Sequence, residues 1–291
     1  MKGLIVKGIG GFYYIETAAG LIEAQGRGIF RKQGLTLCVG DEVEVSVLSA
    51  EEKKGVIEAV LPRRNHFIRP PIANVDMLIV TFAAKSPKPN FPLIDKLLIW
   101  AQAQGLEPLI CINKCDLVSA AAVSALAAIY EGAYPVVTAS SKTGAGLEKL
   151  KAHISGKKAA LAGPSGAGKS SLLNALHPPA EMETGQISQK TQRGRHTTRH
   201  VEIFAVEGGG RLFDTPGFTS LELPEEIDER ELRHYYPEFD APARDCRYDD
   251  CQHLKEPDCA VRAAALAGTI SPQRYQSYIY LYEELKDKRK Y

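Results

Sequence analysis

The sequence predicts a multidomain α/β chain in three parts: a small β-barrel, a parallel α/β domain and a cysteine-rich helical segment. Short alternating runs with glycine turns fill residues 1–68, and apolar runs separated by helical stretches fill residues 69–222. Cysteines and helical patterns fill residues 223–291. A length of 291 residues is enough for two or three domains, each with its own core.

The N-terminal part shows short runs in which apolar and polar residues alternate between glycine-rich turns. Such runs are typical of small antiparallel strands, and about five of them in so few residues predict a closed barrel, with the OB-fold as the leading interpretation. The runs are Gly10–Ile15, Gly20–Ala24, Asp41–Val47 and Gly55–Val60.

Cations and aromatic residues accompany the turns and the exit of this barrel. The net charge of +1 excludes a uniformly basic coat, so any affinity for nucleic acid must come from such local patches. One interpretation is an oligonucleotide-binding face that stacks bases and contacts phosphates. The other is that the aromatic rings are core and the charges are solvated. The residues are Arg27, Arg31, Lys32, Arg63 and Arg64, with Phe12, Tyr13, Tyr14 and Phe30.

The central part alternates apolar runs with helical stretches, which is the pattern of a parallel α/β sheet. We expect helices over Phe91–Gln104, ended by Gly105, and over Val118–Tyr130. The expected strands are residues 76–82, 108–113, 134–139, 158–163, 200–206 and 211–214.

A glycine-rich loop of the pattern G-x-x-x-x-G-K-S stands between a predicted strand and an apolar helix. In that context, backbone N–H groups at the helix N-terminus bind phosphates. We expect Lys169 to reach the β and γ phosphates of a nucleotide, and the Ser170 hydroxyl to bind Mg²⁺. The residues assigned to phosphate binding are Gly163, Pro164, Ser165, Gly166, Ala167, Gly168, Lys169, Ser170 and Ser171.

An N-K-x-D segment closes an apolar strand and supplies Asn113, Lys114 and Asp116. One carboxylate can accept hydrogen bonds from both the ring N1–H and the exocyclic amine of guanine. Adenine offers neither donor, and leaving polar groups unpaired is costly enough to discriminate by orders of magnitude. The segment therefore predicts that Asp116 reads guanine.

A loop with Ser140, Ser141 and Lys142 follows the next predicted strand. It resembles the S-A-K loop whose backbone supports the guanine base in GTPases, with Ser141 in place of the alanine. The alternative interpretation is a simple helix N-cap.

The segment Asp214-Thr-Pro-Gly217 ends a predicted strand and resembles the GTPase segment that follows the γ phosphate. There Asp214 would hold Mg²⁺ through water, and the Gly217 amide would contact the phosphate. A plain turn at a strand end is the alternative. Upstream of it, Thr198 is expected to complete the Mg²⁺ coordination, with Thr197 as the less favoured choice.

Phe218 stands where Ras-like enzymes carry a glutamine that orients the attacking water. A phenylalanine cannot orient water by hydrogen bonding, so we expect slow intrinsic hydrolysis. His196 is the candidate for this role, because a neutral imidazole can accept a hydrogen bond from water near pH 7. A solvent-exposed loop histidine is the alternative.

The motifs occur in a rotated order: guanine reader, base-support loop, phosphate loop, first switch, second switch. Ordinary GTPases begin with the phosphate loop. Five matches in one cyclic order are more specific than any single match, and they predict one GTP site in a circularly permuted P-loop domain. A P-loop kinase or ATPase with a coincidental N-K-x-D segment stays open, as does a non-enzymatic RNA-binding scaffold.

Near the C-terminus, three cysteines and a histidine have the composition of a closed, tetrahedral, structural zinc site. Such a site has no open ligand position, so the ion would stabilise the fold rather than catalyse. Unrelated cysteines near a chance histidine are the alternative. The expected ligands of this single ion are Cys246, Cys251, His253 and Cys259.

The chain resembles the RsgA family, also called YjeQ or YloQ, of circularly permuted bacterial GTPases. Beyond the permuted set and the Cys/His spacing, the resemblance lies in Pro62–Asn65, Arg69–Asp76, Gly194–Thr198 and Arg274–Tyr278. It implies an N-terminal OB-fold, a central permuted GTPase domain and a C-terminal zinc domain. It also implies binding to small-subunit rRNA, late maturation of the small ribosomal subunit and GTP hydrolysis stimulated by that subunit.

The resemblance also implies a role for one histidine, and the sequence departs from the family pattern at two positions. The histidine of the family's G-R-H-T-T segment, a catalytic suspect, corresponds to His196. The departures are Ser141, and Arg199 where the family often continues with another threonine. The second leaves the identity of the switch threonine open.

No apolar run approaches the 18 or so residues that a membrane span requires, and the apolar run at the N-terminus is too short for a signal sequence. We therefore expect a cytoplasmic protein that does not enter membranes. The expected partners are GTP, GDP and the small ribosomal subunit, and the expected state is a monomer.

Overall fold

The computed structural model describes residues 1–49, 51–68, 70–177, 201–214 and 222–288. They group into two compact units, and each unit is made of three separate stretches of the chain. The first unit comprises Met1–Asp76, Lys151–Leu161 and Leu173–Phe218, and the second Met77–Leu150, Ala162–Leu172 and Thr219–Tyr291. The domain boundaries near residues 68 and 222 stay predictions.

Five strands of the first unit close a barrel, which confirms the fold expected for the N-terminal part. They are β1 (Lys2–Ile9), β2 (Phe12–Thr17), β3 (Gly20–Gly26), β4 (Glu42–Ser49) and β5 (Lys54–Val60). The order β1-β2-β3-β5-β4 returns to β1, and the β3–β5 pair is parallel whereas the others are antiparallel. Closure satisfies the strand edges, and Ile5, Ile15, Val43 and Ile57 fill the interior.

The first unit also contains α1 (Gly28–Lys32) and a hairpin of β6 (His66–Ile68) and β7 (Pro71–Ala73). Three more strands, β11 (Lys158–Ala162), β12 (Glu202–Val206) and β13 (Gly210–Asp214), lie beside the barrel. β13 runs parallel to β11 and antiparallel to β12, and β12 pairs with β1. An ion pair of 2.8 Å between Lys7 and Glu202 spans this last junction. The barrel therefore shares β1 with a second group of strands.

The carboxylate of Asp41 is fully buried, and its oxygens accept hydrogen bonds from a side chain and from a backbone N–H. The Arg63 guanidinium donates from Nε to Oδ1 at 2.7 Å and from Nη2 to Oδ2 at 2.8 Å. The backbone N–H of Cys38 donates to Oδ2 at 2.7 Å. A buried carboxylate needs such partners, so Arg63 is a structural residue.

Some of the other residues considered for an oligonucleotide-binding face also make contacts within the fold, and others do not. Arg64 pairs with Asp76, Arg27 pairs with Glu58, and the Phe30 ring is buried in the barrel. By contrast, Arg31 and Lys32 are exposed in the last turn of α1. The interpretation of the rings as core therefore holds for Phe30, whereas the ion pairs of Arg27, Arg63 and Arg64 differ from the solvated charges of that interpretation. The exposed Arg31 and Lys32 can contact a nucleic acid without breaking one of these ion pairs.

The second unit contains three parallel strands in register, β8 (Met77–Ala83), β9 (Glu107–Asn113) and β10 (Val136–Thr138). All seven residues of β8 are buried, as expected for a strand covered on both faces. The helices α2 (Phe91–Ala103) and α3 (Ala120–Ala128) lie wholly in this unit. The helices α4 (Leu147–Ile154) and α5 (Lys169–Leu176), the second of which follows the glycine-rich loop, begin in this unit and end in the first.

Local capping explains where the helices of the second unit begin and end. Asn90 Oδ1 accepts from the N–H of Leu93 at the start of α2, and Ser119 Oγ accepts from the N–H of Ala122 at the start of α3. After α2, Gly105 has a φ of +66°, which glycine adopts without strain. The predicted end of α2 is thus confirmed.

The C-terminal segment of the second unit contains two short helices and one long helix, packed around a core that also includes Ile99 of α2. These are α6 (Asp240–Ala243), α7 (Ala260–Ala267) and α8 (Pro272–Lys288), with Gly268 at φ +80° ending α7. The core includes Leu232, Tyr236, Phe239, Val261, Tyr278 and Leu281. Of the helices described, none is both long and apolar enough to cross a membrane.

The Arg63–Asp41 pair leads to a stability prediction. Replacing Arg63 with alanine leaves a buried carboxylate without its cation, so we expect the free energy of unfolding to fall by about 3 kcal/mol. Urea unfolding followed by far-UV circular dichroism measures the change. The matched control is Arg31→Ala, which removes an exposed arginine and should leave stability within about 0.5 kcal/mol. Equal stability of the two variants would contradict the structural role of Arg63.

Candidate nucleotide site and metal centre

The predicted phosphate loop connects β11 to α5 and is held close to neighbouring segments. Gly163 has a φ of +139°, and a Cβ there would overlap the carbonyl oxygen of Thr81. A Cβ on Gly168 would lie 2.3 Å from Asn113 Nδ2. Both positions therefore require glycine, for packing as well as for backbone conformation.

Lys169 opens α5 and turns its ammonium back into this loop. Its Nζ donates to the carbonyl oxygens of Gly163 at 2.7 Å and Pro164 at 2.9 Å. Burial lowers the pKa of Lys169 from its ordinary value. The ammonium is therefore held at a helix N-terminus, where a phosphate group would also find backbone N–H donors.

The side-chain amide of Asn113 joins three of the predicted motifs. Asn113 is fully buried at the end of β9, and its Nδ2 donates to the Ala167 carbonyl of the phosphate loop at 3.0 Å. Its Oδ1 accepts from the Ser141 N–H of the base-support loop at 3.1 Å. Because that loop contributes a backbone N–H here, a serine serves this contact as well as an alanine would.

Lys114 makes a second link between the guanine reader and the phosphate loop. Its Nζ donates to the Gly166 carbonyl and to the Ser86 carbonyl, each at 2.6 Å. Ser86 belongs to the segment of residues 84–90 between β8 and α2. Sequence reasoning missed this segment, because a contact through a backbone carbonyl leaves no side-chain pattern.

Asp116 is exposed and is oriented by the base-support loop. Its Oδ1 accepts from the Ser140 hydroxyl at 2.6 Å, and Ser140 Oγ accepts in turn from the Thr143 N–H at 3.2 Å. Ser140 is buried whereas Lys142 is exposed. The carboxylate is thus fixed on one side and open on the other, as an acceptor for guanine must be.

The structure describes only some of the remaining predicted nucleotide and Mg²⁺ residues. Ser170 and Ser171 are exposed in the first turn of α5, and Asp214 ends β13 in the first unit. His196, Thr197, Thr198, Gly217 and Phe218 lie outside the described residues. The roles assigned to all of them stay predictions.

The four predicted metal ligands converge although the short segment that carries them is irregular. One ligand atom from each of Cys246, Cys251, His253 and Cys259 lies within 4.8 Å of the others. His253 Nδ1 is 3.6 Å from the Cys246 sulfur and 3.5 Å from the Cys259 sulfur, and those two sulfurs are 4.0 Å apart. Tetrahedral Zn²⁺ with its usual bond lengths has ligand separations of about 3.5–3.8 Å, so the donor set fits zinc.

The protonation states of these groups suit metal binding. Burial lowers the pKa of His253 to about 4, so its ring is neutral at pH 7 and can act as a ligand. Burial also raises the pKa of the Cys251 thiol to about 12. A thiolate at that position therefore needs a cation beside it, which a metal ion supplies on binding.

Two tyrosines of α8 hold the backbone of the ligand segment. The Tyr275 hydroxyl donates to the His253 carbonyl at 2.6 Å, and the Tyr278 hydroxyl donates to the Gln252 carbonyl at 2.7 Å. Both tyrosines belong to Arg274–Tyr278, and the sequence alone predicted no role for them. Such outer contacts orient the ligands of a metal.

Comparison with known proteins gives consistent matches over the whole chain. The family model for the RsgA GTPase matches residues 60–224, and that for the RsgA N-terminal domain matches residues 2–57. The small ribosomal subunit biogenesis GTPase RsgA of Alkaliphilus metalliredigens is 45% identical, with 100% of this chain and 99% of that protein covered. Its counterpart in Caldanaerobacter subterraneus subsp. tengcongensis is also 45% identical, with 100% and 97% covered.

Two solved structures resemble the whole chain. The crystal structure of YjeQ from Thermotoga maritima aligns with a TM-score of 0.79 at 38% identity, covering 98% of each chain. The crystal structure of YloQ, a circularly permuted GTPase, aligns with a TM-score of 0.79 at 36% identity, covering 99% of this chain and 95% of the other.

The geometry of Asp116 predicts a change of base specificity. In Asp116→Asn, the amide can accept from a ring N1–H but must donate at its second atom, which matches the 2-oxo group of xanthine and not the amine of guanine. We expect affinity for GDP to fall by about 100-fold while affinity for xanthosine diphosphate rises. Titration with fluorescent analogues measures both. Ser141→Ala, which keeps the backbone N–H, is the control, and retained GDP affinity in Asp116→Asn would contradict the assignment.

The metal centre predicts a stoichiometry. Purified protein should hold about one zinc ion per chain, and Cys251→Ser should lose most of it because a closed site needs all four ligands. Atomic emission spectroscopy measures the content. Cys115→Ser, outside the cluster, should keep the ion; full zinc content in Cys251→Ser would show that this sulfur is not a ligand.

Proposed function

This chain belongs to the RsgA family of circularly permuted GTPases of small ribosomal subunit biogenesis, and we propose that small ribosomal subunits stimulate its hydrolysis of GTP during late maturation. The observation that carries the proposal is the buried amide of Asn113. It joins the guanine reader to the phosphate loop at 3.0 Å and to the base-support loop at 3.1 Å. One nucleotide could therefore contact all three motifs.

In this proposal the base and the phosphates are held by different chemistry. Asp116, fixed by Ser140, accepts from both guanine donors, while the backbone N–H groups of the phosphate loop and the Lys169 ammonium hold the β and γ phosphates. Mg²⁺ bound with the nucleotide would neutralise charge on its phosphates. Its protein ligands would be Ser170, Thr198 and, through water, Asp214.

Catalysis then depends mainly on charge and on the position of the attacking water. Lys169 stabilises negative charge that develops on the transferred phosphoryl group. His196 orients the water, because Phe218 cannot, and Thr198 would serve as a ligand of Mg²⁺. Because the chain lacks the water-orienting glutamine of Ras-like enzymes, we expect a slow intrinsic rate that a partner can raise.

The partner is the small ribosomal subunit with its rRNA. Of the barrel residues, the exposed Arg31, Lys32 and Phe12 can contact phosphates and stack on bases without loss of an observed fold contact. The metal centre would hold one structural Zn²⁺ and take no part in the chemistry, since all four ligand positions would be filled by the protein. We place the protein in the cytoplasm as a monomer.

Turnover with and without small ribosomal subunits tests the proposal. We expect slow GTP hydrolysis by the protein alone and at least about a tenfold increase with subunits. His196→Ala should lower the stimulated rate by about 100-fold, because a residue that positions or deprotonates water contributes on that scale, and should leave GDP affinity unchanged. His153→Ala removes an exposed histidine of α4 and serves as the control. Equal turnover with and without subunits contradicts the stimulation, and full activity of His196→Ala contradicts the mechanism.

A further inference from the structure

A fully buried arginine of α8 connects the metal-binding segment to α2. The Arg274 side chain is 1% exposed, and its Nη1 lies 2.7 Å from Oδ1 of Asp95 in the second turn of α2. Its Nε donates to Oε1 of Glu238 at 2.7 Å, and its Nη2 donates to Oε2 at 3.2 Å. Because an unpaired charge at this depth is strongly unfavourable, the pairing fixes α8 against α2.

Aromatic rings surround the same guanidinium. Its carbon lies 5.4 Å from the ring centres of Tyr130 and Tyr134, and 4.4 Å from that of Tyr236. These distances are those of cation–π contacts. The Tyr130 hydroxyl also donates to Asp95 at 3.1 Å. Asp95 is thus held by both a cation and a hydroxyl, which restricts the position of α2.

α2 leads from Asp95 back to the nucleotide site. The helix starts directly after the segment of residues 84–90, whose Ser86 carbonyl accepts from Lys114 Nζ at 2.6 Å. Lys114 Nζ also donates to the Gly166 carbonyl of the phosphate loop. Pro87 lies against the same loop, because a Cβ on Gly166 would be 3.4 Å from its Cδ. A continuous series of contacts therefore runs from α8 to Lys114.

Close to Arg274, α8 also contacts the backbone of the segment that carries the metal ligands. Tyr275 and Tyr278 donate to the carbonyls of His253 and Gln252. One helix face therefore carries the contacts to both the metal segment and α2.

We propose that Arg274 is a positioning residue for the guanine-nucleotide site. By fixing α2 through Asp95, it holds the Ser86 carbonyl where it orients Lys114 against the phosphate loop. The metal-binding segment is thereby coupled to nucleotide affinity. This inference rests on the proposed function, since it takes the Lys114 site to be the guanine-nucleotide site.

The test is the affinity of the zinc-loaded full-length protein for a fluorescent GDP analogue. Arg274→Gln should bind it at least about fivefold more weakly, which is the lower range of coupling between sites. Arg274→Lys, which keeps the charge, should recover part of the loss. Tyr280→Phe changes an exposed tyrosine of the same helix, 58% accessible, and should bind like the wild type.

A double-mutant cycle separates positioning from general destabilisation. If Arg274 acts through Lys114, Arg274→Gln should have little further effect in a Lys114→Met background, whereas independent effects would add. Persistence of the full fivefold loss in that background would overturn the proposal. So would wild-type affinity in Arg274→Gln protein that is folded by circular dichroism.

A second variant covers the case in which Arg274→Gln does not fold. Asp95→Asn keeps the shape of the side chain and removes the charge that faces Arg274, and it should give the same loss and the same non-additivity with Lys114→Met. Wild-type GDP affinity in Asp95→Asn would overturn the inference. Failure of the wild type to bind GDP at all would instead reject the proposed function, and the inference with it.

Discussion

The proposed nucleotide site depends on one buried side-chain amide. Asn113 must donate to the phosphate loop and accept from the base-support loop at the same time, and of the side chains of its size only an amide offers both a donor and an acceptor in a fixed plane. An aspartate would lose the donor and a leucine would lose both. Because Asn113 is fully buried, any such loss would also leave backbone groups unpaired, which costs more than the bond itself.

This constraint explains why the rotated order of motifs does not disturb the site. The contacts of Asn113 reach Ala167, 54 residues ahead, and Ser141, 28 residues ahead, so they depend on where strands end and not on which comes first. The parallel pairing of β8, β9 and β10 brings loops to one edge of the sheet, which is where open α/β sheets bind ligands. A circularly permuted chain can therefore form the same loop-bearing edge of the sheet.

Features that depend on local chemistry could be predicted from the sequence. The end of α2 at Gly105, the phosphate loop and the convergence of Cys246 with His253 all follow from residue types at short, fixed spacing. Features that depend on distant partners could not. Arg63 and Arg31 look alike in sequence, but only Arg63 has a buried carboxylate 22 residues away. Likewise, the role of Ser86 lies in a backbone carbonyl, and no residue pattern reveals which carbonyl a distant lysine will reach.

The buried cluster at Arg274 contributes geometry more than stability. Two carboxylates, Asp95 and Glu238, face one guanidinium, so full ionisation leaves an excess negative charge in a buried place. Burial raises the pKa of Asp95 to about 6 despite the nearby cation, which shows that the ionised form is costly there. Apolar residues of similar volume often stabilise such a site equally well. They would allow α8 to slide along α2, however, whereas a planar guanidinium that is hydrogen-bonded to Glu238 and ion-paired with Asp95 favours one register. A single register is what α8 needs if it is to hold, through the first turns of α2, the Ser86 carbonyl that contacts Lys114.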